Sequence, residues 1–277
     1  MITSSIVVYA AKENIGKEND LKTIIKCISL SIIDKLYVID NSPTNILEKK
    51  IVSQSDKVIY IHNRKNVGYG AGHNVALRKI LDSGVEYHIV LNSDILFNEE
   101  IISKIKNFMD GNSDVGQLLP NVIYPNGQLQ YLCKLIPTPF DLIVKRFLPY
   151  KMTKKKLGKF ELRFTRYNRL MNVPYLSGCF MFFRVSAIKE VGLFDERFFL
   201  YPEDIDLTRR MHKYYKTMFF PEVTIIHKHG AESYKSKKLL MVHIYNIIKY
   251  FNKWGWIFDH ERKVVNKKVL EEVGYYK

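Results

Sequence analysis

At 277 residues the chain is long enough to bury a full core, and 47% hydrophobic with 26% charged residues is ordinary for a globular protein. No apolar run reaches the length of a membrane-spanning helix, since Arg184 breaks the stretch from Tyr175 to Ile188, and the start, Met1-Ile2-Thr3-Ser4-Ser5, lacks the basic region and cleavage site of a secretory signal. The net charge of +15 is confined to two segments: residues 145–169 carry ten Lys or Arg against one acid, Glu161, and residues 235–277 carry ten against four. Two basic patches on a near-neutral body call for an anionic surface, whether phospholipid, a phosphate-rich ligand or nucleic acid.

The first hundred residues alternate in period. Short β-branched runs at Ser5–Ala10, Lys35–Ile39, Val58–Ile61 and His88–Leu91 read as strands. Leu21, Ile24, Ile25 and Ile28 fall at helical spacing, as do Val75, Leu77, Ile80 and Leu81. This order predicts a mainly parallel sheet flanked by helices. Asn98 caps a further helix with Glu99 and Glu100 in its first turn, and Asp110-Gly111 ends it.

Tyr124-Pro125-Asn126-Gly127 marks a turn. Residues 134–172, with prolines at 137, 139 and 149 and little apolar periodicity, read as a basic excursion from the core. Order returns at Val173, followed by a helix over Ser186–Val191, the aromatic loop FDERFFLYPED, a helix from Glu203 to Tyr215, and two short strands at 217–220 and 223–227. From Lys235 a helix with a strong amphipathic pattern runs to Gly255. Its apolar face would hold Leu240, Ile244, Ile247, Ile248, Phe251 and Trp254, with Asn246, Lys249 and Lys253 opposite. The expected organisation is one catalytic domain over 1–234 and a helical extension over 235–277. The three cysteines, Cys27, Cys133 and Cys179, show no metal-ligand spacing and suit a reducing cytoplasm.

In open parallel sheets, ligands bind outside the carboxyl ends of the strands. Three strands deliver short polar side chains there: Asp40-Asn41-Ser42, the loop NVGYGAGHN from Asn66 to Asn74, and Asn92-Ser93-Asp94. Any one of them alone would be a strand-ending turn; together they point to a site. Gly68, Gly70 and Gly72 either admit a ligand to the backbone at a helix N-terminus or allow close helix packing. Asp94 suits Mg²⁺ or Mn²⁺, which bridge to diphosphate oxygens, and His227 or His229 would add an imidazole. Glu203, Asp204 and Asp206 sit in a helix's first turn, where the dipole alone favours acids; in the functional reading Asp204 is a general base.

With these residues assembled, the chain resembles the family 2 glycosyltransferases of the GT-A fold, in particular their bacterial rhamnosyltransferase-like branch. The resemblance runs from about residue 4 to 255 through SIVVYA, VIDNSP, NVGYGAGHN, LNSDI, the long segment Ser177–Arg210 and IHKHGAES. It implies a mixed, mainly parallel Rossmann-like sheet and inverting transfer from a UDP- or dTDP-linked sugar to a saccharide or lipid-linked saccharide. Donor contacts would come from Asp40, Asn41, Asn66, Gly68, Gly70, Asn92, Ser93 and Asp94. Asp94 and His227 would hold Mn²⁺ or Mg²⁺, Asp204 would be the base, and Glu203 and Tyr201 would lie on the acceptor side. The D-x-D metal motif of this family stands here as Asn92-Ser93-Asp94, with its first acid replaced. The expected place is the cytoplasm, in peripheral contact with the anionic inner face of the membrane through the excursion and the C-terminal helix. A nucleotidyltransferase is the competing enzyme reading, weakened by Ala10-Ala11-Lys12-Glu13-Asn14 where a Gly-rich phosphate loop would stand. A nucleic-acid-binding protein without chemistry is disfavoured by acids placed among the aromatics.

Overall fold

The computed structural model describes residues 1–9, 18–143, 148–228 and 237–276. His229, the stretch Ala10-Ala11-Lys12-Glu13-Asn14 and the expected domain boundary at 234/235 lie outside them. In chain order the first half comprises β1 (Ile2–Val8), α1 (Glu18–Ser29), β2 (Lys35–Asp40), α2 (Glu48–Val52), β3 (Val58–His62), α3 (Tyr69–Ile80), β4 (Tyr87–Leu91), β5 (Ile95–Leu96), α4 (Glu99–Asp110) and β6 (Val115–Ile123). There follow β7 (Cys133–Lys134), α5 (Pro139–Leu142), α6 (Tyr150–Phe160), β8 (Met171–Asn172), β9 (Tyr175–Leu176), β10 (Phe180–Arg184), α7 (Val185–Val191), α8 (Glu203–Met211), β11 (Lys216–His227), α9 (Lys237–Trp254) and α10 (His260–Glu272).

A nine-stranded sheet runs β3-β2-β1-β4-β10-β6-β11-β5, with β8 also on β11. Strands β1 to β4 pair in parallel, while β10 lies antiparallel between β4 and β6. Alternation assigns side chains to the two faces. Leu36, Val38, Ile89, Leu91, Phe180 and Phe182 enter one core with α1 and α4; Tyr37, Ile39, Val90, Met181 and Phe183 enter the other with α3, α7 and α8. Asn98 caps α4 as expected, its Oδ1 accepting from Ile101 N at 3.0 Å.

Three expectations need correction. The two strands after α8 are one, β11, with a register shift between Phe220 and Thr224 where Pro221 interrupts the ladder. The excursion is not outside the core: it contains α6, and Leu135, Ile136, Phe160, Leu162, Tyr167 and Met171 are buried. Helix α9 is rolled by roughly a quarter-turn from the expected orientation. It buries Asn246 with Ile247, Tyr250 and Phe251, and leaves Ile248 exposed with Met241 and Tyr245. Asn246 turns inward because its Nδ2 donates to Leu200 O at 2.8 Å, and Lys253 because Asp195 and Asp206 receive it at 2.8 and 2.5 Å.

Helix α8 meets the C-terminal helices through an apolar cluster, Ile205 with Ile247, Tyr250 and Phe251, and through buried charge. Arg209, fully buried, donates to both carboxylate oxygens of Asp259 at 2.8 and 2.9 Å and to Glu261 at 2.9 Å, and its guanidinium lies 4.0 Å from the Trp254 ring centroid. Burial opposes the charge on Asp259, yet Arg209 and the Arg262 N–H hold its pKa below the ordinary value.

Beneath the site edge lies a file of buried polar groups on β1, β4 and α3. His88 sits between Thr3 Oγ1 and Ser5 Oγ at 2.7 and 2.8 Å, and Ser5 also meets His73 Nδ1 at 2.7 Å. Burial pushes the His88 pKa down to about 3, and burial with neighbouring His88 holds His73 well below its usual value. Above about pH 6.5 both rings are neutral in either state and cost nothing. Below it the unfolded chain binds protons that the folded chain refuses. Each ring should therefore remove about 1.4 kcal/mol of stability per pH unit until its folded pKa is reached. Urea melts at stepped pH should show this decline starting near neutrality, and His88→Gln should flatten it; an unchanged slope in that variant would place the acid sensitivity elsewhere.

Candidate active site

The parallel register of β1 to β4 aligns Val8, Asp40 and His62 at one sheet edge, and β4 ends with Leu91 opposite Ile6 of β1. Past Leu91 the chain leaves the sheet for Asn92-Ser93-Asp94 and re-enters as β5, where Ile95 pairs with His227. That short antiparallel pair is what sets His227 against Asp94, Nε2 to Oδ1 3.3 Å. Asn92 donates its N–H to Cys179 O at 2.9 Å, and its Nδ2 lies 3.5 Å from His227 Nε2.

Gln130 fixes the other side of the ring. Its Nε2 donates to His227 O at 2.8 Å, which orients the amide so that Oε1 faces His227 Nδ1 at 2.9 Å. Nδ1 therefore carries a proton, and Nε2 is the atom turned toward Asp94. Burial opposes charge on this ring, but Cys179 and Asp94 outweigh it and push its pKa up to about 10.

Across the cleft, Asp204 opens α8. Its Oδ2 accepts from Gly178 N at 2.9 Å and its Oδ1 from Ile205 N at 2.8 Å. Burial in the surrounding protein raises its pKa, with the two backbone donors opposing. Adjacent Glu203 is buried behind it and is raised well above the carboxylate range by burial and by Asp204. The other acid of this turn, Asp206, is structural: it binds Arg210 Nε at 2.9 Å and Trp254 Nε1 at 2.8 Å.

One cavity of about 810 Å³ collects Asn92, Gln130, Gly178, Cys179, Tyr201, Glu203, Asp204 and His227. Lys134, Leu142, Thr153, Leu157 and Arg163 of the excursion form another wall, with His243 and Ile247 of α9 beside it. Tyr201 stacks on His243, ring centroids 4.4 Å apart. Asp94 and Ser93 stand just outside this wall, Asp94 reaching it through His227.

Asp40, Asn41, Asn66, Gly68 and Gly70 do not line the cavity. Asp40 has no exposed surface, and its oxygens accept from Ser42 N at 2.8 Å and from the Tyr60 hydroxyl. A direct base or ribose contact would require Tyr60 to withdraw. Asn41 ties the strand end to Gly68 O at 3.1 Å, and Asn66 Oδ1 accepts from Gly68 N at 3.0 Å. Gly68, at φ +93°, lies so close to Phe199 that a Cβ would fall 2.1 Å from its carbonyl oxygen, and Tyr69 N donates to that oxygen at 3.0 Å. Gly70 abuts Phe194. The glycines thus serve packing of the aromatic loop on α3, and a protein carbonyl already occupies one of the helix's leading N–H donors.

Residues not singled out from sequence complete the site. Tyr69, whose hydroxyl donates to Gly178 O at 2.6 Å, lies inside NVGYGAGHN, and its place in that motif is the signal that marks it. Gln130, Lys134, Arg163 and His243 lie in no motif.

The family described as Glycosyl transferase family 2 matches residues 5–192. A low-salt glycan biosynthesis hexosyltransferase, Agl10, of Haloferax volcanii is 24% identical over 72% of this chain and 60% of its own length. An N-acetylglucosaminyl-diphospho-decaprenol L-rhamnosyltransferase of Mycobacterium tuberculosis is 25% identical over 70% of this chain and 66% of its own. The chain thus spans somewhat less than two thirds of these curated relatives. Among solved structures, a mannosyltransferase from Pyrobaculum calidifontis in complex with GDP-Man and Mn²⁺ superposes with a TM-score of 0.58 at 10% identity, over 100% of this chain and 75% of that one. The sheet order and these matches agree, and the chain belongs to glycosyl transferase family 2, built on the GT-A fold.

Proposed function

We propose that this chain transfers a sugar, with inversion, from a nucleoside-diphosphate donor to a hydroxyl of a saccharide or lipid-linked saccharide acceptor in surface-glycan synthesis. The observation that carries this reading is Asp204, held by two backbone N–H groups and facing the same cavity as Asn92 and His227. The named activities of the two curated relatives, a hexosyltransferase and a lipid-linked rhamnosyltransferase, agree with it. A nucleic-acid groove would not gather Glu203 and Asp204 among its aromatics, so that reading recedes.

In this mechanism Asp204 accepts the proton of the acceptor hydroxyl as its oxygen attacks the anomeric carbon. The bond from that carbon to the diphosphate breaks on the opposite face, and the nucleoside diphosphate leaves with the electron pair. Gly178 and Ile205 hold the carboxylate in place, so little reorganisation accompanies the step. The raised pKa keeps Asp204 basic enough to take a proton from an alcohol.

Among the described residues no cluster of three or more metal-ligating side chains occurs. Asp94 and His227, a hard oxygen and an imidazole nitrogen 3.3 Å apart, would hold a divalent ion shared with the donor once it displaces the proton that the raised pKa keeps on His227 Nε2. Bound there, the ion would neutralise charge developing on the leaving diphosphate. We place the donor as UDP- or dTDP-linked and the protein in the cytoplasm, in peripheral contact with the membrane's inner face. Among the described residues no helix is long and apolar enough to cross a membrane.

Asp204→Asn should lower kcat by about 10²–10⁴ while retaining nucleotide-induced thermal stabilisation. In the wild type kcat should fall as pH drops through a value above the ordinary Asp pKa, because the base must be ionised. Near-normal turnover in Asp204→Asn would end this assignment. Thermal stabilisation by UDP, dTDP, GDP and CMP would identify the base, a hundredfold excess over Kd adding about 2.7 kcal/mol. Titration of Mn²⁺ by electron paramagnetic resonance should show binding lost in Asp94→Asn and weakened about 10- to 100-fold in Gln130→Leu, where the imidazole loses its orienting partner. Equal affinity in all three proteins would move the metal elsewhere.

A further inference from the structure

We propose that the outward side of α9 and the knuckle Trp256-Ile257-Phe258 that follows it dock the protein on an anionic lipid bilayer. The inference deepens the peripheral-membrane part of the proposed function and rests on that reading only for the orientation of the cleft. Lys249 and Lys253, which the amphipathic pattern placed on the outer side, face the body instead: Lys249 Nζ donates to Arg197 O at 2.8 Å and Lys253 to Asp195 at 2.8 Å. The side left outward carries Met241, 65% exposed, then Tyr245 and Ile248, at intervals that stack them in one stripe. Asn252 extends the stripe and accepts from Trp256 Nε1 at 2.8 Å, which joins it to the knuckle.

The knuckle is apolar and anchored from behind. Ile257 is 71% exposed and Phe258 89% exposed. The buried Arg262 donates to Trp256 O at 3.1 Å and to Gly255 O and Ile257 O at 3.4 Å, so a buried cation fixes the backbone that holds these side chains out. A contiguous patch of this kind marks an interaction surface.

Charge selects the occupant. The sequence of α6, YKMTKKKLGKF, contains no acid, and Lys151, Lys154, Lys155 and Lys159 surround a hollow of about 470 Å³ with Phe164 and Tyr275. The segment 137–140 connects this helix to the knuckle. Lys156 Nζ lies 3.8 Å over the Phe140 ring, and Arg262 Nη1 donates to Pro137 O at 3.3 Å. Large apolar tips, whose anchor Arg262 contacts segment 137–140, and a lysine-rich helix that contacts the same segment match the acyl boundary and the headgroups of anionic lipid. A second copy of the chain would set like charges against each other. Helices α6 and α9 also supply Thr153, Leu157, His243 and Ile247 to the cavity that holds Asp204, so docking here would turn that wall of the cleft toward the lipid.

Flotation of the full chain with vesicles of phosphatidylcholine, alone or mixed with phosphatidylglycerol, tests the proposal. The wild type should float with the mixed vesicles only. Ile257→Asp/Phe258→Asp should weaken that partitioning by more than about tenfold, and Lys154→Glu/Lys155→Glu should weaken it and its salt dependence together. The substituted side chains of the knuckle are exposed, and melting curves would confirm that each variant folds. A wild type that stays down with mixed vesicles, or an aspartate variant that floats as well as wild type, would overturn the proposal. So would a wild-type dimer in sedimentation velocity that the aspartate variant dissolves without any flotation. Nucleotide stabilisation measured on the same samples separates the readings: lost flotation with intact nucleotide binding rejects the docking surface alone, and absent nucleotide binding with intact flotation rejects the proposed activity alone.

Discussion

A buried guanidinium organises the second half of this protein. Arg209 on α8 has no access to water, and a charge so placed is tolerable only when its partners arrive with good geometry. Asp259 and Glu261 are those partners, delivered by the start of α10. Removing either side of such a pair typically costs 3–5 kcal/mol because the other charge stays behind. Helix α8 also carries Asp204 in its first turn, so the position of the candidate base depends on partners that lie more than fifty residues later in the chain. Asp206, bound to Arg210, Lys253 and Trp254, fastens the helix at a second point.

The sheet and its edge were legible because they rest on local rules. Buried parallel strands show as short β-branched runs, and the residues that end them are small and polar for reasons of chain geometry. His227 and Asp204, both named from the resemblance, line one cavity, and Asp94 stands behind His227. The fate of Asp40 was not legible. Whether a strand-terminal carboxylate faces a ligand or receives a neighbouring hydroxyl depends on Tyr60, one strand away, and spacing along the chain carries no trace of that pairing. The glycines of NVGYGAGHN were ambiguous for a related reason. A missing Cβ makes room equally for a phosphate or for Phe199, and only the packed structure says which fills it.

Helix α9 shows where pattern reasoning fails. An amphipathic pattern assigns lysine to water and isoleucine to protein. Here the neighbouring surface is itself acidic and rich in carbonyl groups, so Lys249, Lys253 and Asn246 gain more by facing inward than by facing solvent. Gln130 is a different omission: it belongs to no motif, and its importance comes from touching both ends of His227.

The region matched by the family, residues 5–192, stops before α8. It retains the Asn92-Ser93-Asp94 step but excludes Asp204, His227, and the Arg209–Asp259 pair that steadies α8. Boundaries drawn from that match would therefore yield a fragment with half a cleft, missing the strand β11 that closes the sheet beside β6. Chimeras that exchange acceptor preference between relatives face the same constraint: α8, β11 and α10 must travel together, since their contacts are made across the chain's length rather than along it.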